Sequence, residues 1–578
     1  VERIDPESGD TGRLKSFEYD LINQLIRETT SQSITEFRYD LRGNQIAIDE
    51  AVGTPVARTT AYDFDLANRL YQTTFPDGTA TRLTLNASGF VTERRDAFGT
   101  PEERLTAFEY DDIYNVVREE VAGQVGSVVT YEYDAARNVE TKTSAVGMPE
   151  ERVERFEYNK NNRLVRQEDG TGDPILFEYD GAGNEIRVVE SAGLAAERDN
   201  VSTYDLDNRQ VSFDSGNGDR TEYEYDGQGN RTASIQFVGD PAVERRTDYE
   251  YDLENRLVKV ISPEGAVTEY VYDVLGNKVQ EIDGNGGVTV RTYDEQGRVL
   301  TELTPNNVLY TLEYDSLGNL VSRTTGFASG PTVAGLRLTA DSLLVASDDD
   351  AGRDRLQSVA DFAGDARTET FEYDKFGRQI SFTDGEGFTT KIEYDFFGNQ
   401  TKIVRGLYLL EPGNPGYDPA KDLLAFEESL APTTQYAYDF LDRVLRATDG
   451  VGNVTEYEWD GNNNRVVEVD ARGVALSSSN DPKYQAQRVE LGYEADVNAL
   501  SDQDKQELRD LFTKSYSYDL AGNLLSINSA EGGIKEFSNY VNGEATTVRT
   551  LQSGDPALGT DIWIEETFDY DSNGNQIL

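Results

Sequence analysis

Aromatic and apolar residues alternate with polar ones in short bursts along this chain, and the bursts end alike. In Phe177-Glu178-Tyr179-Asp180 the alternation puts Phe177 and Tyr179 on one face and Glu178 and Asp180 on the other. That period predicts a half-buried β-strand. Three residues after the Asp stands Gly, Asn or Asp, as at Asn23, Gly43, Asn68, Gly183, Asn208, Gly377 and Gly398. These residues tolerate left-handed backbone, so a type I turn followed by one of them closes a hairpin. The Asp at the start can accept bonds from the turn's own amides. A second strand follows, as in Arg256–Ile261, then a second turn such as Pro263-Glu264-Gly265 or Asp384-Gly385-Glu386-Gly387.

The phrase recurs. FEYDKFGRQI at Phe371–Ile380 is echoed 21 residues later by IEYDFFGNQT at Ile392–Thr401. Its Asp falls at 20, 40, 65, 111, 134, 180, 205, 226, 252, 273, 294, 315, 374, 395, 439, 460, 519 and 571, with Asn at 159. Leu83-Thr84-Leu85-Asn86-Ala87-Ser88-Gly89 reads as a decayed copy. Many early intervals alternate near 25 and 21 residues; from 252 to 315 they are uniformly 21. Each copy is two strands and two turns, so it widens a sheet by ~10 Å, and some twenty copies give a ribbon ~200 Å across its strands. A twisted sheet of that width coils or closes. The predicted fold is all-β, a long antiparallel sheet of hairpins that coils or closes on itself. Its aromatic face is expected inside and its Glu/Asp face outside.

Four stretches break the rhythm and read as inserts: 324–370, 406–435, 477–515 and 553–563. The first holds Leu338-Thr339-Ala340-Asp341, which resembles a copy, and the acidic run Asp348-Asp349-Asp350. The third holds the one good helix, capped by Ser501, with Asp502 and Asp504 in its first turn, Leu508, Leu511 and Phe512 along one face and Lys514 in its last turn. Residues 1–578 thus form a single array. It opens without a signal peptide and ends on a repeat phrase, as a segment of a longer chain would.

Composition narrows the chemistry. Tyr (33) and Phe (24) supply much of the 37% hydrophobic content, which favours strands. Against 54 Lys and Arg stand 107 Asp and Glu, a formal charge of −53, so nucleic acid and anionic membrane are repelled. No apolar run is long enough to insert in a membrane as a helix. With no His and no Cys there are no disulfides, imidazole zinc sites, thiol nucleophiles or Ser-His-Asp triads. Close carboxylate pairs are expected everywhere in so acidic a chain and do not mark an enzyme. Asp283-Gly284-Asn285 and Asp384-Gly385-Glu386 resemble pieces of calcium loops but lack the distal bidentate Glu, so turn chemistry explains them better. Calcium is the one cofactor with any footing.

The Tyr-Asp-x-x-Gly-Asn/Arg phrase and its 21-residue period resemble the YD-repeat, or Rhs-repeat, family. That family includes bacterial Rhs toxins, shell components of insecticidal toxin complexes, and teneurins. The resemblance implies a YD-repeat β-solenoid, the long sheet spiralling into a hollow barrel or shell, extracellular or at a cell surface, which in several members encloses a toxic domain. The residues expected to carry the repeat here are Tyr19, Asp20, Gly43, Tyr179, Asp180, Gly183, Tyr373, Asp374, Gly377, Tyr394, Asp395 and Gly398, all in structural roles. Three functions follow as expectations. The first is a non-catalytic shell, stalk or fibre, able to self-associate through its sheet edges. The second is a container for a cargo domain. The third is glycan-binding adhesion through outward aromatics, with Trp563 the first to inspect.

Overall fold

The computed structural model describes residues 2–4, 14–193, 197–216, 218–237, 244–327, 366–408, 431–519, 522–530, 533–541, 544–553, 562–570 and 576–577. The runs Leu338–Asp341 and Asp348–Asp350, most of the inserts 324–370, 406–435 and 553–563, and the last repeat phrase at Asp571 lie outside the described residues.

Forty-two strands form one sheet, a 42-stranded antiparallel ribbon in which each strand pairs with the next in sequence from Glu2–Ile4 to Ile562–Thr567. The alternation sets which face each side chain takes. The mid-phrase Glu178, Glu224, Glu313, Glu372 and Glu393 are exposed, whereas their aromatic neighbours are half-buried. The register slips by one residue at each phrase, as between Glu178 and Tyr179, which is the bulge that a left-handed third residue imposes. Asn86–Gly89 makes the same turn, with Gly89 at φ 94°, so the decayed copy is intact in shape. Tyr114 and Arg137 hold the left-handed position at φ 68° and 71°, where no small residue advertises it.

Because every Asp phrase ends a strand running the same way, all the YD turns lie along one edge of the ribbon and all the second turns along the other. The inserts are narrower than the rhythm suggests. Thr324–Phe327 and Arg367–Thr370 belong to paired strands, as do Gly406–Tyr408 and Thr433–Gln435. All four depart from the second-turn edge, after Leu320–Phe327, Gln400–Tyr408, Arg465–Val469 and Glu544–Ser553, which is every fourth strand. Earlier in the chain the same four-strand rhythm appears as long second turns after Gln45–Glu50, Val91–Asp96, Val139–Ser144 and Glu185–Glu190. This is the physical origin of the alternating 25 and 21 intervals.

The third insert starts at Ala471 and holds three helices where one was expected. They are α1 (Ala471–Ser478), α2 (Pro482–Glu490) and α3 (Asp502–Asp510). Asp470 caps α1 and Asp481, followed by Pro482, caps α2. Ser501 and Asp504 form a reciprocal capping box on α3. Leu508 is fully buried with Leu476, Val497 and Leu500, and Phe512 packs on that cluster. Leu511, predicted to share the face, is exposed at the helix end; Lys514 lies in the strand Thr513–Tyr518, and Arg509 is the basic residue of the last turn.

Elsewhere there is no thick core. Among the described residues the fully buried side chains are few and mostly small outside the helical insert, such as Ala51, Ala97, Ala145 and Ala233. The ribbon coils, and its two edges meet. The second turn at 30–33 touches the YD turn at 294–298, 75–79 touches 374–378, Glu102 touches Phe396, Gln124 touches Phe440, and Glu150 touches Gly461. Each of these contacts is separated by 23 described strands. One revolution of the coil is therefore 23 strands, an odd number, as it must be for opposite edges to meet.

Candidate functional site

The candidate functional features are the YD edge and the seam between revolutions. In each YD turn the Asp carboxylate is spent on the turn itself. Asp374 Oδ1 accepts the N–H of Phe376 at 2.8 Å and of Arg378 at 2.9 Å, and its Oδ2 takes Arg378 Nε at 2.6 Å. Asp395 accepts from Asn399 N and Nδ2 at 2.8 and 2.9 Å, Asp180 from Gly183 N at 2.7 Å and Asn184 N at 2.9 Å, and Asp20 from Ile22 and Gln24 amides. Gly43, Gly183, Gly377 and Gly398 all have φ between 80° and 103°. The Asn138 side chain first, then its amide, hold the Asp134 carboxyl below the usual aspartate value of 3.8; Asp226 is lowered likewise by Asn230.

The tyrosine before the Asp ties one repeat to the one before it. Tyr373 donates its hydroxyl to Leu320 O and Tyr394 to Gln379 O, both at 2.8 Å. Tyr272, Tyr293 and Tyr314 repeat the bond to Leu257, Lys278 and Val299. Where the phrase has Trp459, the indole N–H makes it instead, to Val444 O at 2.7 Å. Burial pushes the Tyr272 and Tyr293 phenols up, which keeps them donors. Tyr19 stands 45% exposed at the first copy, and Tyr179 lies under the Arg163 guanidinium.

The residue after the left-handed position is Asn or Arg because it must donate sideways as well as inward. Arg256 and Arg378 bond the carbonyl of the next Asp, Asp273 and Asp395, and stack on the next aromatic, Tyr272 and Tyr394. Arg443 does the same with Asp460 and Trp459. The shorter Asn44, Asn138 and Asn184 reach instead to Asn68, Asn162 and Asn208 of the next turn. The Asn/Arg choice was visible in the sequence; its lateral partner, two strands away, was not.

At the seam, the long second turns share a phrase that repeat spacing alone did not flag: Ala-x-Gly-x-Pro-x-x-Arg at 51–58, 97–104 and 145–152. Ala51, Ala97 and Ala145 are fully buried with positive φ, and Glu103 and Glu151 accept the N–H of Gly99 and Gly147. The rest of the phrase reaches across. Arg104 lies 3.6 Å from the Phe397 ring centre and pairs with Asp442; Glu102 accepts Phe396 N–H, and Glu150 accepts Gly461 N–H, both at 2.8 Å. Phe75 sits between Phe376 and Phe396, with centroids 5.8 and 5.6 Å away. Gly126 and Gly461 pass so close that a Cβ on either would overlap its neighbour. A cavity of about 340 Å³ opens beside them, where Lys142 and Arg152 share Glu154.

Asp283 and Asp384 also bind backbone amides, of Asn285 and Gly287 and of Glu386 and Phe388. Among the described residues no three carboxylates gather as metal ligands, and no helix is long and apolar enough to cross a membrane. Trp563 is half-buried under Arg549.

Hairpins joined turn to turn in one coiled antiparallel ribbon define a repeat-built β-shell class of protein. Residues 251–288 and 293–331 match the RHS Repeat family, in keeping with the YD-repeat phrase found along the rest of the chain. No curated protein matches it in sequence. The crystal structure of TcdB2-TccC3-TEV shares its fold, with a TM-score of 0.53 at 12% identity over 97% of this chain and 31% of that one. The crystal structure of TcdB2-TccC3 without its hypervariable C-terminal region gives 0.49 at 13% identity over 98% and 30%. This chain thus spans less than a third of the chains it resembles.

Proposed function

We propose that this chain is the wall of a hollow RHS-type shell, a structural role without catalysis, exercised outside the cell. The observation that carries this is the seam, where one revolution of the ribbon closes on the next with a constant offset of 23 described strands. At the usual strand spacing that offset corresponds to a girth of ~110 Å and ~35 Å between opposite backbones. Apart from the helical insert, which packs against the strand Val454–Trp459, the described residues contribute no second layer to such a coil, and the reading extends to an enclosed cargo domain. The YD-edge carboxylates serve their own turns, which supports scaffolding over chemistry.

Cryo-electron microscopy of the purified protein tests it. The expected particle is a coiled wall around an open lumen; a flat ribbon or a solid interior overturns the reading. The role needs no resident cofactor, so a calcium chelator is expected to leave the thermal midpoint unchanged.

A further inference from the structure

The long second turns end on an arginine, and the residue facing that arginine across the strand pair is acidic in three of them. The registers set Arg58 opposite Glu50, Arg104 opposite Asp96 and Arg198 opposite Glu190. Arg58 shows the contact at its fullest, with Nε and a terminal nitrogen reaching the two Glu50 oxygens at 2.7 and 3.1 Å. Opposite Arg152 stands Ser144. Arg245 also lacks a facing acid, with Gln236 opposite, but both of those side chains are exposed to water, whereas Arg152 is half-buried.

A second acid is missing as well. Turn 97–104 meets two successive YD turns across the seam, through Glu102 at Phe396 and through Arg104 at Asp442, the left-handed residue of its turn. Turn 145–152 meets the first of its pair through Glu150 at Gly461, and the next YD turn is 519–522. Its left-handed residue is Gly522, at φ 90°, which brings no carboxylate. What surrounds Arg152 is therefore positive and hollow. Its Nε is buried and meets no acceptor. Arg104 Nε is unpaired too, but Asp442 neutralises that guanidinium. Arg152 shares one carboxylate, Glu154, with Lys142, at 3.4 and 2.9 Å. The 340 Å³ cavity opens at this point, between Ser127 and Ser144 on one side and Asn462 and Asn463 of the next revolution on the other.

We propose that this cavity binds a small organic carboxylate, which stands where Glu50, Asp96 and Glu190 stand in the other turns. A buried guanidinium N–H without an acceptor is unfavourable, and a carboxylate matches the planar fork of an arginine with two parallel bonds. Lys142 supplies a second cation, so the site holds two positive charges against the one carboxylate of Glu154. The formal charge of −53 repels anions at long range, and these short-range bonds select the ligand against that field. Because the cavity has a wall from each revolution, a bound carboxylate also braces the seam.

Isothermal titration calorimetry of the full chain with sodium succinate, at an ionic strength held constant with NaCl, tests the proposal against Arg152→Gln and Ser144→Glu. Ser144→Glu restores within the chain the acid that faces Arg58 at Glu50, so it should keep the parent's fold and fill the site itself. The parent is expected to bind about one succinate per chain, and both variants at least about tenfold more weakly. In the parent alone, succinate should slow hydrogen exchange at the Gly461 amide, which lies at the cavity's seam wall. No saturable binding by the parent overturns the proposal. So does binding by Ser144→Glu as tight as the parent's, which would place the succinate elsewhere on the surface. The shell reading rests on the strand offset and stands or falls separately.

Discussion

In most repeats a tyrosine hydroxyl bonds the YD strand to the repeat before it. Tyr293→Phe keeps the ring and removes the 2.7 Å bond to Lys278 O, leaving a half-buried carbonyl short of a donor. The expected loss is ~1 kcal/mol in urea unfolding, and the same change at exposed Tyr19 should cost much less. The aspartates add a pH dependence whose sign is fixed. Asp134 has a folded pKa below its ordinary 3.8, chiefly through Asn138. It therefore binds a proton less readily folded than unfolded, and its stabilisation is complete above about pH 4 and is lost as pH falls through the folded value. The stability gap between parent and Asn138→Ala should be constant near neutrality and shrink below pH 4 in acid titrations followed by circular dichroism. The turn residues were legible because each acts on a neighbour within four positions. The tyrosine's partner lies some 15 residues back across the sheet, and spacing alone does not reveal it.

At the scale of elements, the hairpin was readable because its period-2 face and its turn are both local. The long second turn was not, since its phrase at 51–58, 97–104 and 145–152 acquires meaning only when the coil brings it to a partner about 300 residues away. Gly461 tests that contact. Its backbone is not left-handed, so alanine is tolerated locally, but the added Cβ would lie 2.5 Å from Ala145 Cβ and 3.2 Å from Gly126 Cα. Gly461→Ala should speed hydrogen exchange at the Gly461 amide, which bonds Glu150, and leave the Asn464 amide, which closes the turn onto Asp460, protected. The helical insert has its own keystone. Arg488, fully buried in α2, donates to the carbonyls of Leu476, Ser479 and Ala495 and so ties α1 and the following loop together. No periodic pattern marks it, since its partners are main-chain atoms. Arg488→Ala should lower the insert's protection from proteolysis and leave the strand content unchanged.

In the whole molecule, stability is close to a sum of neighbouring hairpins, because each strand touches only the next and each edge only the facing edge. The seam is then a separable layer of structure. The hairpins would persist if it opened, but the coil would not be held at 23 strands per turn. Arg104 contributes most visibly, placing one guanidinium against Phe397 and Asp442 together. In Arg104→Ala/Phe75→Ala the aromatic cluster and the ion pair are lost, and the remaining seam bonds are single and mostly to backbone atoms. The expected outcome by small-angle X-ray scattering is a larger maximum dimension, tending toward the ~200 Å of an uncoiled ribbon. Far-ultraviolet circular dichroism should stay as in the parent, since the strand ladders are untouched. An unchanged scattering profile would mean that sheet twist alone holds the coil and that the seam merely follows it.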